Sequence, residues 1–475
     1  MSTDLTPQSN ASRRKFLKQL GFAGAAFTIV PRHVLGNGYV APSDTLYIAG
    51  IGVGGKGFSD LTEPCKSPNA KVVALCDVDD RQAVRARKKF SDATYYKDFR
   101  KLLEQEKNVD AVTVSTPDHM HAMPALAAME MGKHVYVQKP LTHDIYEARQ
   151  LTEAAHKYKV VTQMGNQGAS GDGVRKMQEW YNAGLIGDVE EVWCWTDRPV
   201  WPQGIPWPKE TKDIPSELNF DLWLGTAPKK DYIDNLLPFN WRGWWDYGTG
   251  ALGDMACHII EPAFKTLGLG YPTGVECSVS STYTAPWQRT YSPESCPTSS
   301  YIILDFPARG KQPAVKLHWM DGGIRPPRPD EVGANEVMGD GGNGVIMKGS
   351  KGVMMCGTYG INPRLFPASV AEQSEAVAET IPRVPEGHYV QWVNACLAGY
   401  QQNECSSDFD IAGPLTESVL MGNLALRSFD IRKKKGRNFN YPGRNIKLLW
   451  DGPNMKVTNF DQANAYVKRD YRTGW

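Results

Sequence analysis

The stretch that most narrows what this chain can fold into is Leu46-Tyr47-Ile48-Ala49-Gly50-Ile51, followed at once by Gly52-Val53-Gly54-Gly55-Lys56-Gly57. A short apolar run ending in glycines reads as a buried strand turning tightly into a helix. In the register Gly52/Gly54/Gly57 each glycine has its own task. Gly52 allows the turn, Gly54 lets the backbone approach a pyrophosphate, and Gly57 lets helix and strand pack closely, with Gly55 inside the same loop. A second register, Gly50/Gly52/Gly55, also fits but would cut the strand short. Phosphates would rest on the helix N-terminus, where free N–H groups and the helix dipole favour anions. Lys71 to Cys76 reads as the next strand, and Asp77 at its end lies twenty residues beyond Gly57. A carboxylate there can accept from ribose hydroxyls and would repel a 2′-phosphate, so NAD is expected rather than NADP.

Strands and helices keep alternating. Strands are expected at Val109 to Ser115, Lys133 to Val137 and Lys159 to Met164, and helices at Asp79 to Phe90, Lys97 to Glu106, Pro124 to Met131 and His143 to Tyr158. This spacing predicts an α/β fold with a doubly wound parallel sheet, a Rossmann dinucleotide-binding domain over 44–166. Beyond it the pattern turns to strands at Gly274 to Ser280, Ser300 to Phe306, Ala314 to Trp319 and Gly344 to Met347, with helices at His388 to Tyr400 and Pro414 to Asp430. A second α+β domain with a large, mostly antiparallel sheet is expected over 167–435, and a C-terminal extension over 436–475. The basic run Arg432 to Lys435, closed by Gly436, reads as a helix C-terminus rather than a binding patch.

Three further segments carry chemistry: Thr116-Pro117-Asp118-His119-Met120-His121, Gln138-Lys139-Pro140, and Gly248-Thr249-Gly250-Ala251-Leu252-Gly253-Asp254-Met255-Ala256-Cys257-His258. In this order, behind the glycine loop, they resemble the Gfo/Idh/MocA oxidoreductases. The resemblance implies that Thr116, Pro117, His121, Gln138 and Lys139 line a nicotinamide pocket, with His121 packed beside the cofactor. It also implies that the Asp254/His258 segment faces that pocket, and that the open sheet of the second domain serves in subunit contacts, so a homo-oligomer is expected. The family's usual E-K-P is Q-K-P here. An amide at 138 removes a negative charge that would raise the basicity of Lys139, so a more readily neutral lysine is expected. An unchanged pH dependence of hydride transfer in Gln138→Glu would refute that.

The residues support the same chemistry independently. Oxidation of an alcohol needs a group to take the hydroxyl proton while hydride leaves. Lys139 can serve if desolvation and nearby positive charge lower its pKa. Asp254 and His258 are four apart and share one helix face. A histidine can pass a proton, and the carboxylate can orient it or the substrate. Asn166, just past the last strand of the first half, points to the domain seam and is a further cofactor candidate. His119 and His121 invite a metal reading, but no third ligand is signposted and none is expected.

All fourteen Trp follow Tyr158, and nine fall between Trp180 and Trp245, so their excess belongs to the second half. Most should fill the core. Arg198, Trp207, Arg242 and Tyr247 are the candidates for a pocket holding a small carbohydrate, whose C–H faces match aromatic rings. The 53 Lys+Arg against 52 Asp+Glu leave no basic field for nucleic acid. The nine Cys contain no C-x-x-C pair and imply no metal framework. Ser12-Arg13-Arg14-Lys15-Phe16-Leu17-Lys18 and the short apolar run Leu20 to Val30 resemble a twin-arginine export signal within 1–43, too short and Gly/Ala-rich for a stable membrane span. An exported oxidoreductase must keep its nucleotide bound. Three functions follow: a carbohydrate oxidoreductase, an NAD-dependent glycosidase that oxidises, eliminates, adds water and reduces, or a non-enzymatic nucleotide-dependent binding protein. The glycosidase relatives lack a clear K-P segment, and retention of Lys139, Asp254 and His258 argues against the third.

Overall fold

In the computed structural model the described residues are 44–475, so the twin-arginine segment lies outside them. The first strand, β1 (Leu46–Ile51), is buried along nearly its whole length. That suits the middle of a parallel sheet covered on both faces. The sheet runs β3-β2-β1-β4-β5-β6, with β2 (Ala70–Cys76), β3 (Thr94–Tyr96), β4 (Ala111–Val114), β5 (His134–Val137) and β6 (Thr162–Met164) all parallel. Its connecting helices are α1 (Gly55–Thr62), α2 (Asp80–Lys89), α3 (Phe99–Gln105), α4 (Ala122–Glu130) and α5 (Ile145–Tyr158). Strand order reverses between β1 and β4, which opens a crevice at their carboxyl ends. The three-residue β3 was not expected, being too short to show a period.

Helix starts in this half follow local chemistry. Asp79, Asp98 and Asp144 cap α2, α3 and α5 by accepting backbone N–H bonds, and Asp144 forms a capping box with Glu147. In contrast, Gly54 caps α1 with no side-chain bond, and the first turn of α1 carries no acid. Its positive end is left for a ligand.

The second sheet has nine strands in the order β15-β14-β13-β7-β12-β11-β8-β18-β19. Its members are β7 (Val189–Trp195), β8 (Gly274–Val279), β11 (Ser300–Phe306), β12 (Val315–Met320), β13 (Gly344–Gly349), β14 (Val353–Cys356), β15 (Arg364–Phe366), β18 (Leu448–Asp451) and β19 (Lys456–Val457). Only β7 and β12 pair in parallel. Alternate burial along β11 shows one face covered, chiefly by α8 (Gly250–Thr266) and α11 (Phe409–Phe429). The remaining helices are α6 (Asp172–Asn182), α7 (Phe220–Leu224), α9 (Ala368–Ala371) and α10 (His388–Ala398). The two halves join where α11 crosses α5. A Cβ at Gly413 would lie 2.0 Å from Thr152 Oγ1, and Arg149 bonds Glu417 at 2.7 Å beside that contact.

Two expectations need correction. The last long helix starts at Phe409, capped by Asp408, and carries Pro414 inside it, so the proline does not mark its first turn. The helix also ends at Phe429. Lys433–Lys435 (β16) instead pairs with Asn438–Asn440 (β17) in a hairpin turning at Gly436, φ 61°. A glycine after basic residues satisfies either a helix end or a hairpin turn, and tertiary contacts decided here, with Arg432 lying 3.6 Å from the Tyr291 ring centre. The other short hairpin is β9 (Tyr283–Ala285) with β10 (Gln288–Arg289).

Candidate active site

A cleft of about 640 Å³ opens at the carboxyl ends of the parallel strands. Gly52, Gly54, Gly55, Asp77, Thr116, Pro117, His121, Gln138, Lys139, Arg198, Arg242, Asp254 and His258 all lie on its walls. At the glycine end, Gly52 has φ 77°, and a Cβ there would lie 2.7 Å from the Ser115 backbone. A Cβ at Gly57 would lie 1.9 Å from Gly52 O, which is the close packing expected of the first register. A Cβ at Gly54 would strike Gln82 at 2.6 Å, so α2 also demands a glycine there, whereas one at Gly55 would meet open space.

Asp77 has a second task that spacing did not show. Its Oδ2 accepts from Val53 N (2.9 Å) and Gly54 N (3.2 Å), and its Oδ1 accepts from Asp79 N (3.0 Å). It therefore braces the glycine loop as well as facing the cleft. Burial pushes its carboxyl up to about 6, against the pull of these N–H groups.

The opposite end is assembled from distant segments. Lys139 Nζ donates to Asp254 Oδ1 (2.8 Å) and to the Asp254 carbonyl (2.6 Å). The charge nearest Lys139 is thus a carboxylate, opposite in sign to the positive neighbour invoked from sequence. Arg242 Nε reaches the same Oδ1 at 3.3 Å, and its guanidinium lies over Trp241 (4.3 Å) and Phe239 (4.4 Å). Burial alone would raise Asp254, yet Lys139 and Arg242 hold its carboxyl at about 2. His258, one helical turn on, is buried; desolvation first, then the Lys139 charge, holds its pKa well below the ordinary histidine value. A neutral imidazole therefore lines the cleft. Asp118 accepts from Thr249 Oγ1 at 2.6 Å, tying the T-P-D-H-M-H segment to the start of α8 and bringing Asp254 to Lys139.

His121 packs between two carbonyls, with Nδ1 2.8 Å from Pro140 O and Nε2 2.8 Å from Thr116 O. His119 sits between the Trp223 and Tyr247 carbonyls, buried so that its pKa falls to about 3. Among the described residues no group of three or more His, Cys, Asp or Glu could hold a metal ion. Four candidates are away from the cleft walls: Gly57, which packs on Gly52 behind the loop, and three others. Tyr247 is fully buried against Trp223 and His119, Trp207 packs on Trp244 and carries Lys230 over its ring, and Asn166 is buried with both side-chain polar atoms unpartnered.

The structure also adds residues. Asp60 is fully buried beneath the loop and gathers four donors: Lys56 Nζ (2.5 Å), Ser115 Oγ (2.8 Å), Gln138 Nε2 (2.9 Å) and Tyr389 OH (2.9 Å). The negative charge missing at position 138 is thus present at position 60, with the amide of Gln138 turned toward it. Tyr359, held at φ 65°, lies on the cleft wall with its ring centre 4.6 Å from that of His258. A left-handed tyrosine costs about 1–2 kcal/mol, and nothing in Thr358-Tyr359-Gly360 signals it. Trp241 lines the same end, and Trp475 lies on the cleft wall too.

These residues fit a dinucleotide. The uncapped start of α1 offers N–H groups to phosphates, the space beside Gly55 is open, and Asp77 retains acceptor capacity for a ribose. Thr116 Oγ1 is buried on the wall without a partner. Parallel sheet, glycine loop and acid define a dinucleotide-binding fold, with the second domain contributing the other walls of the cleft. Two stretches of the chain match models of the Gfo/Idh/MocA oxidoreductase family. Residues 46–166 match the family's NAD-binding Rossmann fold and residues 201–288 its C-terminal alpha/beta domain. A glycosyl hydrolase family 109 protein of Shewanella sp. (strain W3-18-1) is 31% identical over 173 residues, 31% of this chain and 38% of that protein. The matched stretch thus spans well under half of that relative. Among solved structures, WlbA dehydrogenase from Bordetella pertussis, in complex with NADH and UDP-GlcNAcA, has a TM-score of 0.54 at 15% identity, covering 83% of this chain and 98% of that one. Levoglucosan dehydrogenase, in complex with NADH and levoglucosan, has a TM-score of 0.53 at 17% identity, covering 80% and 96%. At such identities the likeness speaks for the fold.

Proposed function

We propose that this protein transfers hydride between NAD and a hydroxyl or ketone of a sugar, polyol or glycoside. The observation that carries the reading is the Lys139–Asp254–Arg242 cluster with neutral His258, at the far end of the cleft that holds the glycine loop and Asp77. NAD, when bound, supplies the hydride acceptor. Asp254 fixes the Lys139 ammonium, so its donor direction toward the cleft is set before substrate arrives. Lys139 can pass a proton to or from the reacting oxygen, and the lone pair of neutral His258 can accept a hydrogen bond from a substrate hydroxyl. Arg242, clamped between Trp241 and Phe239, and Arg198 offer donors to other hydroxyls, while Trp241 and Tyr359 offer apolar faces to ring C–H groups.

The glycosyl hydrolase relative favours a second reading, in which oxidation is followed by elimination, addition of water and reduction. Both readings are tested by denaturing purified protein and identifying released nucleotide, then offering sugars and glycosides singly and in pairs. Turnover only with a pair supports exchange between two sugars, and release of a free sugar from one glycoside supports hydrolysis. Absence of bound nucleotide together with no affinity for NAD sinks both.

The leader further suggests export by the twin-arginine route. Full-length chain recovered from the extracytoplasmic fraction, and lost from it on changing Arg13 and Arg14 to Lys, is expected. Equal recovery from both would refute export by that route.

A further inference from the structure

Residues 461–466 leave the second sheet and pack on α11, and 467–475 continue along the seam to reach the nucleotide-binding half. Three side chains spaced by three residues pin this strap. Arg469 is half-buried and bonds Glu147 Oε1 (2.7 Å) and the His119 carbonyl (2.6 Å), beside Tyr471, whose hydroxyl bonds the same Glu147 oxygen at 2.6 Å. Arg472 bonds the Gly225 carbonyl (3.1 Å) and the Asp221 carbonyl (2.9 Å) of the second half. Trp475 bonds back to Arg472 O (3.1 Å) and lies under the Arg100 guanidinium, 4.4 Å from its ring centre. Arg100 belongs to the first turn of α3, so Trp475 stands beside Lys97, Asp98 and Phe99, with which it shares the cleft wall.

That wall lies past Asp77 on the side of β2 and β3. With phosphates at the start of α1 and a ribose at Asp77, the adenine base is the part of the dinucleotide that reaches it. We infer that the 461–475 strap, through Trp475, forms the wall of the adenosine end of the cleft and sets how long the nucleotide stays bound. The inference rests on the NAD reading above. A purine is a flat apolar ring system, and the indole of Trp475 with Phe99 offers it matching surface. Arg469 and Arg472 meanwhile hold the strap to both halves and restrict opening. The nine-residue interval 461–469 follows the sheet, and no motif in it announces a nucleotide contact, so this wall was invisible to pattern reading.

The strap is tested with the full chain, by titrating NAD, ADP-ribose and nicotinamide mononucleotide and by following displacement of bound NADH by stopped-flow fluorescence. Removing one base-stacking aromatic costs on the order of ten-fold in affinity. Trp475→Ala is therefore expected to weaken NAD and ADP-ribose about equally, by roughly that factor, to speed NADH release correspondingly, and to leave nicotinamide mononucleotide unchanged. Trp475→Phe should recover most of the loss. Arg472→Gln, which loosens the strap without touching the wall, should speed release in the same direction. NADH release unchanged in Trp475→Ala, with wild-type protein binding NAD, overturns the strap and leaves the NAD reading intact. A loss equal for all three ligands also overturns it, because a general distortion of the cleft would do that. Wild-type protein that binds none of the three overturns both.

Discussion

The two ends of the cleft are built in different ways. The phosphate and ribose end comes from one continuous piece of chain, β1 through Asp79, in which loop, helix start and acid support one another through backbone bonds. The far end, to which we assign the chemistry, draws Lys139, Arg242, Asp254, His258 and Tyr359 from separate segments and holds them by side-chain contacts across both halves. A local build is stable to change elsewhere but intolerant of change within itself. A distributed build lets the reacting groups be altered one at a time while nucleotide binding persists.

That contrast is most exposed by removing the lysine. A positioned proton-handling group contributes 10²–10⁴-fold, so Lys139→Met should lower kcat by about 10³-fold. The fold should hold, and NAD affinity should stay within about two-fold, since phosphates and ribose are gripped elsewhere. Steady-state kinetics beside an NAD titration checks this. A parallel collapse of NAD affinity would mean that the two ends are one energetic unit.

The converse substitution is Gly57→Ala. With a Cβ 1.9 Å from Gly52 O, the backbone must move, and overpacking of this kind costs about 1–3 kcal/mol. NAD affinity should fall by about ten- to a hundred-fold with it. Gly55→Ala is the control, since its Cβ meets open space and only the φ of 47° is strained, at about 1 kcal/mol. Equal damage from both alanines in denaturation and NAD titration would show that loop packing is not what the glycines protect.

The same division explains what could be read in advance. Alternating strands and helices and the glycine loop are short-range features, so the parallel sheet follows from residue patterns, whereas its strand order emerges only in the fold. Lys139, Asp254 and His258 were legible as motifs, but their contact depends on Asp118 docking α8, which no spacing reveals. Arg198 and Arg242 reach the cleft while Trp207 and Tyr247 do not, because composition marks an aromatic-rich half without saying which rings face inward. Asp60 was missed altogether. It lies on α1 like any helix-surface acid, and only tertiary packing brings Ser115, Gln138 and Tyr389 onto it.

Asp60 is where the two ends touch, through Gln138, and it supplies the next test. Gln138→Glu would turn an N–H donor 2.9 Å from a fully buried carboxylate into a second carboxylate. Loss of a charge-assisted bond costs about 1.5–3 kcal/mol, so lowered stability is expected, with part of it recovered in the double variant with Asp60→Asn. A double-mutant cycle by chemical denaturation measures the coupling. Additive effects would show that the amide at 138 is not there for Asp60, and would return attention to its influence on Lys139.

The smallest expected effect is the pH dependence of nucleotide binding. Asp77 has its carboxyl pushed from 3.8 up to about 6, chiefly by burial. For folding alone the sign is unusual for an aspartate. A raised pKa contributes stability in the protonated form, fully present below 3.8 and lost as pH rises through about 6. Binding runs the other way, because accepting from ribose hydroxyls and from Val53 and Gly54 N–H needs the ionised carboxylate. NAD affinity should therefore be level above about pH 7 and fall below 6, by at most about ten-fold per pH unit. Asp77→Asn should bind more weakly at pH 7 and show no such fall. Isothermal titration between pH 5 and 8 separates the outcomes. Affinity flat to pH 5 in the wild type would mean that the backbone N–H groups keep Asp77 ionised throughout, and that its bracing of the loop outweighs the burial that opposes its charge.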